Sequence, residues 1–107
     1  MISTHILDTS LGHPASGVKV TLELLKNNEW SEISSGKTND DGRFVFENQA
    51  IAGKYRIQFF IEDYFSKNKS ECFFLDTPVA FEVKDTNRKY HVPLLLNPYG
   101  YSTYRGS

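Results

Sequence analysis

Gly17-Val18-Lys19-Val20-Thr21-Leu22-Glu23-Leu24-Leu25 alternates apolar and polar residues from Val18 to Leu24. Val18, Val20, Leu22 and Leu24 fall on one side, Lys19, Thr21 and Glu23 on the other. Successive side chains of an extended chain point to opposite faces, so this period of two describes a strand with one dry and one wet face. Outward from it, Asn27-Asn28 tolerate positive φ and predict a tight hairpin into a strand around Trp30 and Ile33. Asn39-Asp40-Asp41-Gly42 predicts a second turn, followed by a short strand over 43–46. A longer strand is expected over 54–61, with Gly53 at its start and Tyr55, Ile57 and Phe59 on one face. Two more are expected at 78–84 and 90–96, the latter aligning Tyr90, Val92, Leu94 and Leu96 and turning His91 the other way.

The N-terminal stretch 2–8 reads as a strand with Ser3, His5 and Leu7 sharing a face, and Leu11 to Pro14 reads as a loop. Tyr99 to Tyr104 suits a final strand. Pro93 has no amide proton to give a ladder, so the 90–96 strand is expected to lie at an edge or to be locally irregular at that proline, a bulge being the simplest form. Only 62–69 lacks strand alternation, and one short helix is expected there. Short β-branched and aromatic strands at close intervals predict an all-β sandwich. No repeat or linker interrupts the chain, so 1–107 reads as a single domain.

The chain has 107 residues, enough for one core. Twelve Lys and Arg against thirteen Asp and Glu leave a formal charge of −1, too little to favour nucleic acid or anionic membrane as partner. A lone cysteine, Cys72, forms no intrachain disulfide and is expected to pack as a small apolar residue. With no leader-like opening and no long apolar run, a cytoplasmic protein is expected.

Three histidines offer acid or base chemistry near neutral pH. His91 is the most suggestive, since a purely structural strand more usually carries Thr, Lys or Glu on its wet face. His5 sits on an ordinary strand and His13 in a loop that reads as solvated. Arg43 stands at a strand entrance, where its guanidinium can grip a planar anion at two points; the plainer alternative is a surface arginine. The histidines lack the local spacing of a metal site, and no phosphate loop or nucleophile elbow is present, so neither metal nor cofactor is expected.

Tyr90-His91-Val92-Pro93-Leu94-Leu95-Leu96 followed by Pro98-Tyr99-Gly100-Tyr101-Ser102-Thr103-Tyr104-Arg105-Gly106-Ser107 closely resembles the signature of the 5-hydroxyisourate hydrolases, within the transthyretin-related family. Ser3-Thr4-His5-Ile6-Leu7-Asp8 resembles that family's opening, and Lys37-Thr38, Asp41-Gly42-Arg43, Gly53-Lys54-Tyr55 and Asp63-Tyr64-Phe65 resemble its middle. The resemblance implies a transthyretin-like sandwich of two four-stranded sheets with one short helix, assembled as a homotetramer, a dimer of dimers with active sites in the channel between them. It implies hydrolysis of 5-hydroxyisourate to 2-oxo-4-hydroxy-4-carboxy-5-ureidoimidazoline in urate degradation. Family catalytic positions map onto His5, Arg43, His91 and Ser107, with Tyr104 and Arg105 as substrate-binding neighbours. On that mapping the histidines and the hydroxyl or carboxylate of Ser107 activate water, and Arg43 binds the ring and its developing charge.

Two other classes compete. A transthyretin-like carrier would bind an aromatic ligand in the same channel without consuming it. An adhesive sandwich module would need only the turn-then-strand phrase around Asp41-Gly42-Arg43.

Overall fold

A computed structural model describes residues 1–106; Ser107 lies outside the described residues. The elements run β1 (Ile2–Asp8), β2 (His13–Pro14), β3 (Lys19–Lys26), β4 (Glu29–Lys37), β5 (Arg43–Phe46), β6 (Gly53–Phe59), α1 (Ile61–Lys67), β7 (Thr77–Val83), β8 (Tyr90–Asn97) and β9 (Gly100–Thr103). One sheet has the order β4-β3-β6-β7, all neighbours antiparallel. The other runs β2-β1-β8-β9, with β5 also on β1. Its five strands make a sheet only four ranks wide, because β5 pairs Ile2 to His5 while β2 pairs Leu7 and Asp8 of the same strand. The 11–14 stretch is thus not wholly loop: His13 and Pro14 form a two-residue strand, too short to carry a period.

The alternation explains the packing. Ile2, Ile6, Tyr90, Val92, Leu94 and Leu96 of one sheet are buried against Val20, Leu22, Leu24, Tyr55, Ile57 and Phe59 of the other. Each large apolar side chain removed from water contributes roughly 1.5–3 kcal/mol. The partners of these residues on β1 and β8, Ser3, His5, Leu7, His91 and Leu95, are only partly buried and face outward. Asn27 and Asn28, with φ of 52° and 64°, make the expected hairpin. The helix begins one residue earlier than expected and is tied to β1 at Asp8, whose carboxylate accepts the Tyr64 hydroxyl at 2.7 Å and the amides of Ser10 and Leu11. Burial pushes the Asp8 carboxyl up, but the hydrogen bonds from Ser10, Tyr64 and Leu11 outweigh it and leave it below the ordinary carboxylate value. No helix among the described residues is long and apolar enough to cross a membrane.

Of the expectations for Pro93, local irregularity holds, while the edge position and the bulge do not. β8 lies between β1 and β9 without a register shift. The Tyr90 amide donates to Met1 on the β1 side, so by alternation the Pro93 nitrogen faces β9 and the tail. There the ladder pauses: Leu94 pairs Thr103, and the next antiparallel bridge is His91 to Gly106 in the same register. The proline leaves a gap between two attachments of one continuous run, and its carbonyl accepts the Thr103 hydroxyl at 2.7 Å.

Gly42 is the turn position that tolerates no side chain. Its φ is +73°, and a Cβ would stand 2.5 Å from the Ile6 carbonyl oxygen. Gly42→Ala is expected to lose more than about 1 kcal/mol of stability, read as a lower urea midpoint at unchanged slope.

Candidate functional site

Three strands converge on the outer face of the β1–β8 sheet. His5 on β1 pairs with Arg43 on β5 on one side and with Pro93 on β8 on the other. Two residues earlier on β1, Ser3 pairs with His91. Paired residues in register point to the same face, so the ladders bring His5, Arg43 and His91 together although they are distant in sequence. An open groove of about 510 Å³ runs over them, lined by Ser3, His5, Arg43, His91, Tyr104 and Gly106 together with Met1, Lys89 and Pro93.

Each functional side chain has a local reason for its place. The Asn39 side-chain oxygen accepts the amides of Asp41 and Arg43 at 2.9 and 3.0 Å, and the Asn39 amide donates to the Arg43 carbonyl at 3.0 Å. Below that turn, the buried Thr38 hydroxyl donates to the Ala15 carbonyl and accepts the Val18 amide. Arg43 therefore leaves a pinned turn with its guanidinium free to reach over β1. His91 is held through its ring: Nδ1 lies 2.9 Å from the Ser3 hydroxyl oxygen. On its other flank the tail closes in, with the Gly106 amide donating to the His91 carbonyl at 2.8 Å. A Cβ on Gly106 would meet the His91 ring at 2.5 Å, so only glycine lets the tail backbone approach this closely.

The electrostatics are one-sided. Among the described residues lining the groove, Arg43 and Lys89 are cationic and none is acidic. Burial pushes the His91 imidazole below its ordinary value, and the Arg43 charge and His5 lower it further. His91 is thus neutral at neutral pH, with Nδ1 engaged by Ser3 and Nε2 left as the ring nitrogen for a ligand. Such a groove can bind a planar anionic ring, accept a proton at imidazole and hold developing negative charge at guanidinium.

Of the positions expected from sequence, His5, Arg43, His91 and Tyr104 meet in this groove. Arg105 does not: its guanidinium carbon lies 5.0 Å from the centroid of the Tyr90 ring, beside a second cavity of about 230 Å³ between β7, β8 and the tail. Ser107 lies outside the described residues. His13 is exposed and apart, with Nδ1 3.0 Å from the Pro14 carbonyl. Cys72 packs against the core edge. No cluster of three or more metal-ligand side chains occurs among the described residues. Ser3 and Lys89 were not singled out from sequence. The signal for Ser3 was its shared face with His5, two residues on; nothing in the pattern marked Lys89.

The HIUase/Transthyretin family model matches residues 2–106. The 5-hydroxyisourate hydrolase of Salmonella typhimurium is 48% identical over 110 aligned residues, covering 100% of this chain and 81% of that protein. The solved 5-hydroxyisourate hydrolase of Klebsiella pneumoniae superposes with a TM-score of 0.86 at 35% identity, over 99% of this chain and 98% of that one. Sea bream transthyretin, solved with thyroxine, gives a TM-score of 0.92 at 29% identity over 98% and 93%. Backbone shape thus does not separate a hydrolase from a carrier. Identity does better, and it lies with the hydrolases.

Proposed function

Because the chain belongs to the HIUase/transthyretin family, we propose that it hydrolyses 5-hydroxyisourate in the groove formed by His5, Arg43 and His91. The observation that carries this reading is the meeting of two imidazoles and one guanidinium, from three strands, in a groove with no carboxylate among its described lining residues. A hormone-carrying channel needs no proton acceptor. A ring-opening hydrolase does.

The chemistry follows from that set. His91 takes a proton from water as the water oxygen bonds to the acyl carbon of the ring. Negative charge gathers on the former carbonyl oxygen, where Arg43 holds it with two N–H donors. Collapse of the intermediate breaks the ring C–N bond, and the proton held at imidazole passes to the departing nitrogen. His5, next to Arg43 in the ladder, orients the water or the ring. Ser107 is given its role by the family resemblance alone, its hydroxyl or carboxylate positioning the same water. Tyr104 walls the groove. Every group used belongs to this protein, and water is the only co-substrate.

The lowered His91 pKa has a signed consequence. A base works in its neutral form, so kcat/KM rises with pH through the free-enzyme pKa of that base. The acid limb is expected below the ordinary imidazole value of about 6.5. A limb centred above 7 would remove His91 as the base.

A homotetramer is part of the same reading. The groove lies open on the sheet's outer face beside exposed Val45 and Tyr104, and a second pair of chains laid over that face would turn it into a channel shielded from bulk solvent but still open to single waters. Sedimentation of the purified protein tests this, with a four-chain mass expected.

The reaction is tested by making 5-hydroxyisourate from urate with urate oxidase and following its ultraviolet decay. Acceleration over the protein-free control is expected, and its loss on deleting Ser107. Decay at the control rate by folded protein would favour the carrier.

A further inference from the structure

Nothing in the reaction as described uses Ser3, yet its hydroxyl lies 2.9 Å from the Nδ1 of His91. We propose that Ser3 is a positioning residue for the hydrolysis, holding His91 by Nδ1 so that the basic Nε2 faces the substrate groove; this rests on the function proposed above.

The parallel pairing of β1 and β8 places Ser3 opposite His91, with both side chains on the outer face. A neutral imidazole has one N–H, and the partner of one nitrogen decides which nitrogen carries it. With Nδ1–H donating to the Ser3 oxygen, Nε2 keeps its lone pair for the water proton. The same bond persists once the ring is protonated, so no hydrogen-bond rearrangement accompanies the proton transfer. Among the described residues, Ser3 is the only hydrogen-bond partner of the His91 ring. Gly106 supplies the other restraint, because its backbone packs against the Cδ2 edge and leaves the ring no room to swing toward the tail. Hydrogen bond and packing contact together select one of the two ring flips.

That the partner is a hydroxyl also matters. A carboxylate in its place would favour imidazolium and take the base out of use at neutral pH. Among the described residues, the titratable or charged groups around His91 are His5 on β1, Arg43 on β5, Tyr90 on its own strand and Lys89 just before it, Tyr104 and Arg105 of the tail, and Glu82 of β7 across the second cavity. Among the described residues only Glu82 is acidic, and it is exposed and lines the second cavity rather than the groove. Ser3 thus orients the ring without adding negative charge beside it.

The test compares the full-length protein with Ser3→Ala, Ser3→Thr and Ser3→Asp, measuring 5-hydroxyisourate turnover across pH and the ¹⁵N shifts of the His91 ring. Ser3→Ala is expected to lower kcat on the order of tenfold, as loss of one hydrogen bond allows. KM should change by no more than about twofold, since a positioning contact acts on the transition state. Ser3→Thr keeps a hydroxyl and should restore most of the rate. Ser3→Asp should move the acid limb up by about one pH unit or more. In the parent, Nδ1 should carry the proton, and Ser3→Ala should shift the ring toward a mixture of tautomers. Parent-like kcat in Ser3→Ala, or a parent His91 protonated at Nε2, overturns the proposal. If the parent itself leaves 5-hydroxyisourate untouched, the assigned reaction falls instead, and the nitrogen shifts still decide whether Ser3 sets the tautomer.

Discussion

His91→Asn is expected to lower turnover by about 10²- to 10⁴-fold, the usual contribution of a positioned general base. The fold should survive. His91 faces outward on β8, and the residues on either side of it that build the core, Tyr90, Val92 and Leu94, are untouched. Asparagine is close in size and retains a group that can bond the Ser3 hydroxyl, but it accepts no proton near neutral pH. A parental circular-dichroism spectrum and melting curve together with collapsed kcat would assign the loss to chemistry. More than a tenth of parental turnover in a folded variant would sink the role given to His91, and would move the base to His5.

The second large effect is Arg43→Gln. Removing one preorganised donor from a developing oxyanion costs about 10²- to 10³-fold, and glutamine keeps some hydrogen bonding while discarding the charge and the two-point grip. The loss should fall on kcat/KM. A second readout is independent of substrate binding: the Arg43 charge helps to hold the His91 imidazole below its ordinary value. Without it the His91 pKa rises, so the acid limb of the remaining activity should move to higher pH. A variant with full kcat/KM and an unmoved limb would show Arg43 to be an ordinary surface arginine.

Where the chain alternates strictly, the sequence was enough. The runs through Val20, Leu22 and Leu24 and through Tyr90, Val92, Leu94 and Leu96 each needed only a period of two to assign the buried face, and the structure buries those residues. The direction of His91 and the placement of Ser3 with His5 followed from the same rule. What it could not deliver was pairing. β2 has two residues and exists only because β1 offers its edge there beyond the end of β5. Pro93 suggested an irregular or edge strand, since a proline shows which donor is missing but not that the neighbouring ladder pauses at that point. The candidate site had the same character. His5, Arg43 and His91 could be nominated singly by residue type and jointly by resemblance, but their meeting depends on the order β5-β1-β8. The Ser3–His91 contact needed the register of a parallel pair, which no local pattern encodes. Arg105, adjacent to Tyr104 in sequence, turns away to the Tyr90 ring because neighbours in an extended tail point to opposite sides.

Ser3 and His91 are 88 positions apart in the chain, yet they are next-door neighbours across one parallel pair of strands. During synthesis β1 emerges with its partner β8 still unmade, and the 88 positions from Ser3 to His91 must be added before the groove has a second wall. The sheet β4-β3-β6-β7 has no such wait, because all its strands precede β8. Closing so long a loop adds only a slowly growing entropic cost, but it comes late in assembly. The groove is therefore assembled only when β8 docks on β1, after every strand of the other sheet has been made.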